Sequence, residues 1–198
     1  MKTTTATGRR GPAALAAVTL ALAGTLLGGA LLTGCGSEDS TAAAPDDWRT
    51  LDAKGVSLAV PKSFQRQSDA ERSEFNAAAA TRTEGGKRVG MITVQRDFTN
   101  ADSAEEAAIG AEAGIQLGST LKKTKDVEVE GTDEAKRVDF EFSSTGEKDT
   151  PPKGARVTGV IVTGLDSKDV TFAVRIDVRK DKLDSAEVKK IIESIRVG

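Results

Sequence analysis

Alternation of apolar and polar residues predicts a series of strands in the chain. Residues 56–60 are apolar at every second position, and Pro61 ends the run. Turn-forming residues at 52–55 precede this run, so residues 48–51 are predicted as its hairpin partner. The most regular alternation has apolar residues at Val170, Phe172, Val174, Ile176 and Val178. The chain therefore contains strands that bury one face.

Further hairpins are predicted wherever turn residues separate two apolar runs. Gly85 and Gly86 separate residues 75–83 from residues 88–96, and two glycines favour a two-residue turn. The alanines at 77–80 would also suit a helix, but the β-rich run after the turn needs a pairing partner, so a strand is predicted. The other predicted strands are residues 127–129, 138–142, 156–165 and 170–178, with turns at 131–133 and 166–169.

Two segments have helical spacing. Ser103 is predicted to cap a helix that extends to Gly118, with Glu106 at the capping-box position. The contact face of this helix is made of small residues, apart from Ile115. A second helix is predicted to start at Asp184, with a capping-box Glu187 and an apolar stripe of Val188, Ile191, Ile192 and Ile195. Hairpins with a helix in the middle and at the end indicate an α+β fold, in which helices cover an antiparallel sheet.

The first 34 residues differ from the rest in charge and hydropathy. Three basic residues within the first ten positions precede an uncharged Ala/Leu/Gly run at 13–34, which is typical of a signal peptide. Leu31-Leu32-Thr33-Gly34-Cys35 then resembles the bacterial lipobox. The resemblance implies that Cys35 receives a diacylglycerol thioether and becomes the first residue after cleavage. Two acyl chains, at roughly 0.8 kcal/mol per buried CH₂, would anchor the protein stably.

Two alternatives for the leader stay open. Residues 13–34 are also long enough to cross a bilayer as a helix, although the only cysteine lies at the lipobox position and the glycine-rich end disfavours a helix. Arg9-Arg10 fits either the twin-arginine or the general secretory route. The expected location is the extracytoplasmic side of the cell membrane, with the modified Cys35 as the contact to the bilayer.

Three parts of the chain follow from these patterns. Residues 1–34 are the lipoprotein signal peptide, and residues 35–47 are the lipidated cysteine and a small, polar, flexible tether. Residues 48–198 form one α+β domain. Cleavage would leave 164 residues, which is enough for a single hydrophobic core.

Composition narrows the possible chemistry. The chain has no His, no Tyr and one Cys, which excludes His-dependent triads, His-ligated zinc or haem, and an intramolecular disulfide. Residues 35–198 carry 25 Lys and Arg against 30 Asp and Glu, a net charge of −5. An acidic domain gives no electrostatic reason to bind nucleic acid or an anionic membrane surface, although a local basic patch is still possible. No cofactor and no metal are expected.

Several short motifs suggest catalysis, but each has a simpler structural explanation. Ser119-Thr120-Leu121-Lys122 matches Ser-x-x-Lys of penicillin-recognising enzymes, without their companion motifs. Residues 85–88 lack the spacing of a phosphate loop, and residues 166–169 lack the acids of a calcium loop, so both are predicted as turns. The paired acids Glu105-Glu106 and Glu128-Glu130 are expected on a first helical turn and an exposed strand face, as solvated surface.

Trp48 is the only tryptophan and directly follows the tether. One interpretation is a hydrophobic anchor that closes the first hairpin onto the sheet. The other is that Trp48 lines the mouth of an apolar cleft, which makes it the candidate residue for binding a ligand or partner.

Four segments together resemble a known family. They are residues 55–61, 102–118, 134–140 and 186–197, the last ending in Ile192-Glu193-Ser194-Ile195-Arg196-Val197. They resemble the LpqN-type actinobacterial lipoproteins and, more distantly, the PsbP/Mog-like fold, over roughly residues 48–197. The resemblance implies a helix-covered antiparallel sheet that serves as a binding or accessory module, since members of that fold are mostly assembly factors, partner-binding subunits or carriers of apolar ligands. It supplies no catalytic motif.

The resulting functional expectation is a non-enzymatic binding module for a protein partner or an apolar envelope ligand. The alternative is a cell-envelope hydrolase with an unrecognised Ser/Lys or carboxylate site, which would need a deep cleft with perturbed titratable groups. A third possibility is a structural accessory subunit, which would show a large exposed apolar patch and no cavity.

Overall fold

The computed structural model describes residues 46–147 and 150–198. Ten strands and two helices occur in this part of the chain. In chain order they are β1 (Trp48–Ala53), β2 (Val56–Pro61), β3 (Gln65–Arg66), β4 (Ala78–Glu84), β5 (Lys87–Arg96), α1 (Ala104–Ala113), β6 (Thr120–Asp126), β7 (Ala135–Ser143), β8 (Arg156–Leu165), β9 (Thr171–Arg179), α2 (Ser185–Glu193) and β10 (Arg196–Val197).

The strands form two sheets. The smaller has the order β1-β2-β10, and the larger has the order β3-β4-β5-β9-β8-β7-β6. Every strand pair within them is antiparallel. The predicted α+β class, an antiparallel sheet covered by helices, is confirmed.

The main core lies on one side of the seven-stranded sheet, which we call the inner face. Alternating residues of β8 and β9 project there, and they are Val160, Val162, Phe172, Val174, Ile176 and Val178. They pack against the three-stranded sheet, which contributes Leu51 and Leu58, and against Ile191 of α2 and Ile195 just after that helix. Each of these four side chains is at most 1% exposed, so each stabilises the fold by about 2 kcal/mol.

A second core lies on the opposite side of the same sheet, the outer face. Here Ala108 and Ala111 of α1 pack against Phe140 of β7 and Ile161 of β8. The small side chains bring the helix close to the sheet. Gly159 is required at this point, because a Cβ atom there would lie 2.1 Å from the Phe140 ring. Within the described part of the chain, residues 48–197 supply the side chains of both cores, so we expect this domain to fold without the residues that precede it.

The helix caps follow the sequence closely. The Asp184 carboxylate accepts from the Glu187 N–H at 2.7 Å, and the Glu187 carboxylate accepts from the Asp184 N–H at 3.0 Å, so the predicted capping box is complete. At α1 the Ser103 hydroxyl accepts from the Glu106 N–H at 3.2 Å. The Glu106 carboxylate, however, accepts from the N–H of Asp102 instead of that of Ser103.

Several predicted boundaries shift. Helix α1 ends at Ala113, with Gly114 as its C-cap, and does not extend to Gly118. The hairpin between β4 and β5 has the predicted turn, with φ of 56° at Gly85 and 73° at Gly86. Strand β4 begins three residues later than predicted, so Phe75 lies before it.

The prediction of a strand at residues 127–129 is wrong. The strand that pairs with β7 is β6, directly before this segment. All seven residues of β6 are exposed, because it is the edge strand of its sheet and buries neither face. Alternation of apolar residues is therefore absent from it. Val129 is buried against the main core from a non-strand segment.

Within residues 46–147 and 150–198, no helix is long and apolar enough to cross a membrane. The predicted signal peptide, Cys35 and nearly all of the predicted tether lie outside the described residues.

Candidate functional site

A groove crosses the outer face of the seven-stranded sheet beside α1. It consists of two cavities of about 690 and 490 Å³. Met91, Arg175 and Asp177 line both cavities, so the two form one continuous depression, which we call the binding groove.

The floor of the binding groove comes from two adjacent central strands. The register places Met91 opposite Asp177, and Thr93 opposite Arg175. Because the side chains of a strand alternate between faces, residues 91 and 93 of β5 share the outer face with residues 175 and 177 of β9. Helix α1 packs on β7 and β8 and leaves this part of β5 open.

The walls of the two cavities differ. The larger cavity is bounded by Gly110 and Ala111 of α1, by its C-cap Gly114 and, across the floor, by the segment 74–76. The smaller is bounded by Phe142 and Val157 and by residues of the loop after β7, which are Ser144, Thr145, Glu147, Thr150 and Pro151. The binding groove therefore combines a rigid sheet floor with one helical wall and one loop wall.

Glycines keep the helical wall low. A Cβ atom at Gly114 would meet only the Ala111 carbonyl oxygen, at 3.4 Å, so a larger side chain has room there. At Gly110 a Cβ atom would come within 3.2 Å of the Thr99 hydroxyl, so this position must stay small.

Arg175 fixes the centre of the floor. Its Nε donates to Asp177 Oδ2 at 2.8 Å, and its Nη1 donates to the Gly114 carbonyl oxygen at 3.0 Å. The guanidinium carbon lies 5.1 Å from the centroid of the Phe140 ring, a cation–π contact. The last turn of α1 contains no basic residue, so β9 supplies the cation that favours a helix C-terminus.

Asp177 is a perturbed carboxyl group in the same place. Burial raises the pKa of Asp177, while Arg175 and Arg88 oppose that increase, and the net direction is upward. Its Oδ1 is buried and accepts no hydrogen bond from the described residues. The carboxyl group is therefore easier to protonate than a solvated one, and the protonated form can donate a hydrogen bond.

The Ser-x-x-Lys motif forms no catalytic pair. The Ser119 hydroxyl donates to the Gln116 carbonyl oxygen at 2.6 Å. The Lys122 ammonium lies 3.3 Å from the Glu141 carboxylate, on another strand. Neither Ser119 nor Lys122 is among the residues that line the binding groove.

The paired acids lie on the surface in ion pairs and caps. Glu105 pairs with Lys136 at 3.0 Å, and Glu106 caps the start of α1. Glu130 pairs with Arg196 at 2.5 Å. Contrary to the prediction, Glu128 and Glu130 lie outside any strand, since the strand is β6.

The segment 166–169 is a turn, as predicted. Asp166 Oδ1 accepts from the N–H groups of Lys168 at 2.8 Å and Val170 at 2.9 Å, and Oδ2 lies 2.5 Å from Arg96 Nη2. Burial alone would raise the pKa of Asp166, but these donors outweigh it, and the pKa lies below its ordinary value. No group of three or more metal-ligating side chains occurs in the described part of the chain.

Trp48 lies in the main core and is 6% exposed. The Lys190 ammonium lies 4.3 Å from its ring centroid. This burial agrees with the interpretation of Trp48 as an anchor, and it places the indole on the other side of the seven-stranded sheet from the binding groove. A role for Trp48 in binding and the lipidation of Cys35 stay predictions.

No protein-family model and no curated protein sequence matches the chain. Among solved structures, LpqN of Mycobacterium tuberculosis, described as involved in cell envelope biogenesis, is 13% identical with a TM-score of 0.51, over 72% of this chain and 82% of LpqN. PsbP of Synechocystis is 11% identical with a TM-score of 0.47, over 83% of this chain and 99% of its own. A protein from Bacteroides thetaiotaomicron is 14% identical with a TM-score of 0.43, over 72% of this chain and 45% of that one. At such identities the likeness to LpqN concerns the fold alone.

Proposed function

We propose that this protein is a lipoprotein, anchored at Cys35 on the extracytoplasmic side of the cell membrane, whose domain binds an apolar envelope molecule or a protein partner in the binding groove. Binding occurs without chemical conversion. The signal-peptide pattern and the lipobox-like residues 31–35 support the anchor. The fold shared with LpqN, a protein described as involved in cell envelope biogenesis, is in keeping with this location.

The observation that carries the binding role is the groove itself. Its cavities of about 690 and 490 Å³ are of the size that small-molecule sites usually have. Met91, Ile161 and Phe142 supply apolar surface, whereas Thr93 and Asp177 supply a few polar groups. This combination suits an amphipathic molecule, because the apolar part is desolvated while the polar groups set its orientation.

A carboxylate-dependent hydrolase is the second candidate, and Asp177 is the observation that favours it, since a raised pKa is a property of general acids. Such enzymes also need a second carboxylate within about 5–10 Å of the first. Glu74, Asp97 and Glu147 also line the groove. Asp97 lies six residues beyond Met91, the neighbour of Asp177, and at about 3.4 Å per strand residue this places Asp97 about 20 Å from Asp177. Glu74 and Glu147 are therefore the acids that a hydrolase could use as its second carboxylate.

The test compares the material bound by two matched variants. Gly114→Trp places an indole in the binding groove, where a side chain has room, and Ala113→Trp adds the same indole at an exposed neighbouring position. Each protein is purified from membranes without delipidation, and bound molecules are extracted and then identified and quantified by mass spectrometry. We expect wild type and Ala113→Trp to carry the same molecule in near-stoichiometric amount, and Gly114→Trp to lack it.

Equal recovery from all three proteins, or none from wild type, would refute binding of an apolar molecule in the groove. Turnover of an ester or glycoside by wild type, lost in Asp177→Asn, would establish the hydrolase instead.

A further inference from the structure

The inner face of the seven-stranded sheet is apolar at its centre and charged near its β6 edge. The register places Lys123 opposite Asp139 and Lys125 opposite Arg137, with Glu141 two residues after Asp139 on β7. Since side chains alternate along a strand, all five project from the inner face. Charged groups therefore take the place that the main core occupies farther across the same face.

Three cations surround one carboxylate on this surface. Glu141 Oε2 lies 2.5 Å from Arg156 Nη2 and 3.3 Å from Lys122 Nζ, and its Oε1 lies 3.8 Å from Lys180 Nζ. The hydrogen bonds from Arg156 and Lys122 lower the pKa of Glu141. The carboxylate is only 19% exposed, whereas the side chains of Arg156 and Lys180 are 61% and 64% exposed. The one negative charge of Glu141 balances only one of the three cations, so two positive charges remain in excess on the exposed side of this cluster.

The other acid of this surface is already neutralised. Asp139 Oδ1 accepts from both Nε and Nη2 of Arg137, at 2.9 and 2.7 Å. Lys123 and Lys125 are exposed and form no ion pair with any described residue. We call this surface the basic face, which comprises Lys122, Lys123, Lys125, Arg137, Arg156 and Lys180. Six cations against two carboxylates give it a net charge of +4.

This charge is opposite in sign to that of the rest of the domain. Residues 46–198 carry 25 Lys and Arg against 28 Asp and Glu, a net charge of −3, so everything outside the basic face sums to −7. Lysines on an edge strand also prevent pairing with other chains, which accounts for those of β6. Edge protection gives no reason for Arg156 at the start of β8 or for Lys180 beyond the end of β9.

We propose that the basic face docks on the anionic phospholipid headgroups of the membrane that carries the anchor. The face extends over neighbouring strands about 4.8 Å apart, and a sheet surface of this kind can present its cations together to a planar layer of phosphates. This choice of partner rests on the proposed anchor. The predicted tether of 13 residues has an r.m.s. span of about 20 Å, so the domain stays close to the bilayer. Attraction of exposed charges acts over about 8–10 Å, and a tethered domain reaches that range repeatedly.

Docking in this way would also orient the binding groove. The basic face belongs to the inner face of the sheet, and the groove lies on the outer face. A domain held by its basic face would therefore present the groove away from the bilayer, so its ligand would enter from the aqueous side.

The test uses residues 46–198 without the anchor, mixed with phosphatidylcholine vesicles or with vesicles that contain roughly one-third phosphatidylglycerol, and measures co-sedimentation. We expect binding to the anionic vesicles at least tenfold tighter than to the neutral ones, and its loss at high salt. The double variant Lys123→Glu/Lys125→Glu is expected to weaken that binding tenfold or more. The double variant Arg156→Gln/Lys180→Gln, at two exposed sites, should also weaken binding to the anionic vesicles, and it provides the test if the first variant folds poorly.

The matched control is Lys54→Glu/Lys87→Glu, which makes the same change of charge at two exposed positions outside the basic face, one in a turn and one at the start of β5. It should retain most of the binding. Equal binding to both kinds of vesicle, or equal loss in the control and the basic-face variants, would overturn the proposal. The assay contains neither an acylated cysteine nor a groove ligand, so its failure is separate from failure of the proposed function.

Discussion

Arg175 and Asp177, two residues apart on β9, form an ion pair on the floor of the binding groove, with Nε 2.8 Å from Oδ2. The same guanidinium group also contacts the Gly114 carbonyl oxygen and the Phe140 ring. One side chain thus links the floor, the C-terminus of α1 and the second core. The shape of the groove depends on this cluster, and the first two predictions concern it.

Replacement of Asp177 by Asn should change how stability depends on pH. The pKa of Asp177 is raised in the folded protein, so the folded state binds the proton more tightly than the unfolded state, where the pKa is about 3.9. Stability must therefore fall as the pH rises from about 4 through the folded pKa. Asn resembles the neutral acid and removes this loss. The free energy of unfolding of the variant, relative to that of wild type, should therefore increase as the pH rises.

Urea denaturation of both proteins between pH 4 and pH 8 measures this difference. The carboxyl groups whose pKa values are lowered, such as that of Asp166, act at the acidic end and are present in both proteins. Two curves that stay parallel over the whole range would show that Asp177 is not perturbed.

Gly159→Ala should destabilise the fold by about 3 kcal/mol, because the new methyl group would overlap the buried Phe140 ring. A smaller side chain at position 140 relieves the overlap. Gly159→Ala/Phe140→Leu should therefore be more stable than the sum of the two single changes predicts, by about 1 kcal/mol. Additive free energies of unfolding across this double-mutant cycle would contradict the contact.

Asp166→Ala should lower the free energy of unfolding by about 3 kcal/mol at neutral pH, because Arg96 loses its partner and two backbone N–H groups lose their acceptor. Asp166→Asn keeps an oxygen for the turn and should lose less. The lowered pKa means that this stabilisation is present above pH 4 and is lost as the pH falls through the folded value. Chemical denaturation at pH 7 and pH 3 measures both effects, and an equal deficit at the two pH values would be contrary to this reasoning.

Asp184→Ala should reduce stability by about 1 kcal/mol, because the Glu187 N–H loses the carboxylate that accepts its hydrogen bond at the start of α2, while the backbone N–H of residue 184 can still donate to Glu187. Ser185→Ala, at the next and exposed position, is the matched control and should leave the thermal midpoint nearly unchanged. Similar midpoints for the two variants would show that the cap contributes little.

The sequence predicted the fold well wherever one face of an element is buried. Strands β2 and β9 and helix α2 repeat their apolar residues with the period of their structure, and β8 contains the continuous apolar run Val160–Val162, so their positions follow from local patterns. Strand β6 escaped prediction because solvent reaches both of its faces. The two-residue strands β3 and β10 form through contacts distant in sequence, which no local pattern records.

The binding groove was beyond sequence analysis for a related reason. Its floor joins β5 to β9, which are far apart in the chain, and its wall depends on where α1 ends. Arg175 and Asp177 occupy the polar positions of the most regular alternating run, and they resemble an ordinary solvated strand face. The sequence offered one indication of this site, which is a pair of opposite charges two residues apart in a strongly apolar strand. Such a strand often lies at the centre of a sheet with both faces covered, where charged side chains are unusual.

The intact mass of the full chain, produced in a bacterium and purified from its membranes, tests the central claim most directly. We predict a protein that begins at Cys35, lacks residues 1–34 and carries the added mass of a diacylglycerol group. In the matched Cys35→Ser chain that added mass should be absent. A membrane-bound wild-type protein that retains residues 1–34, or that begins at an unmodified Cys35, would contradict the account.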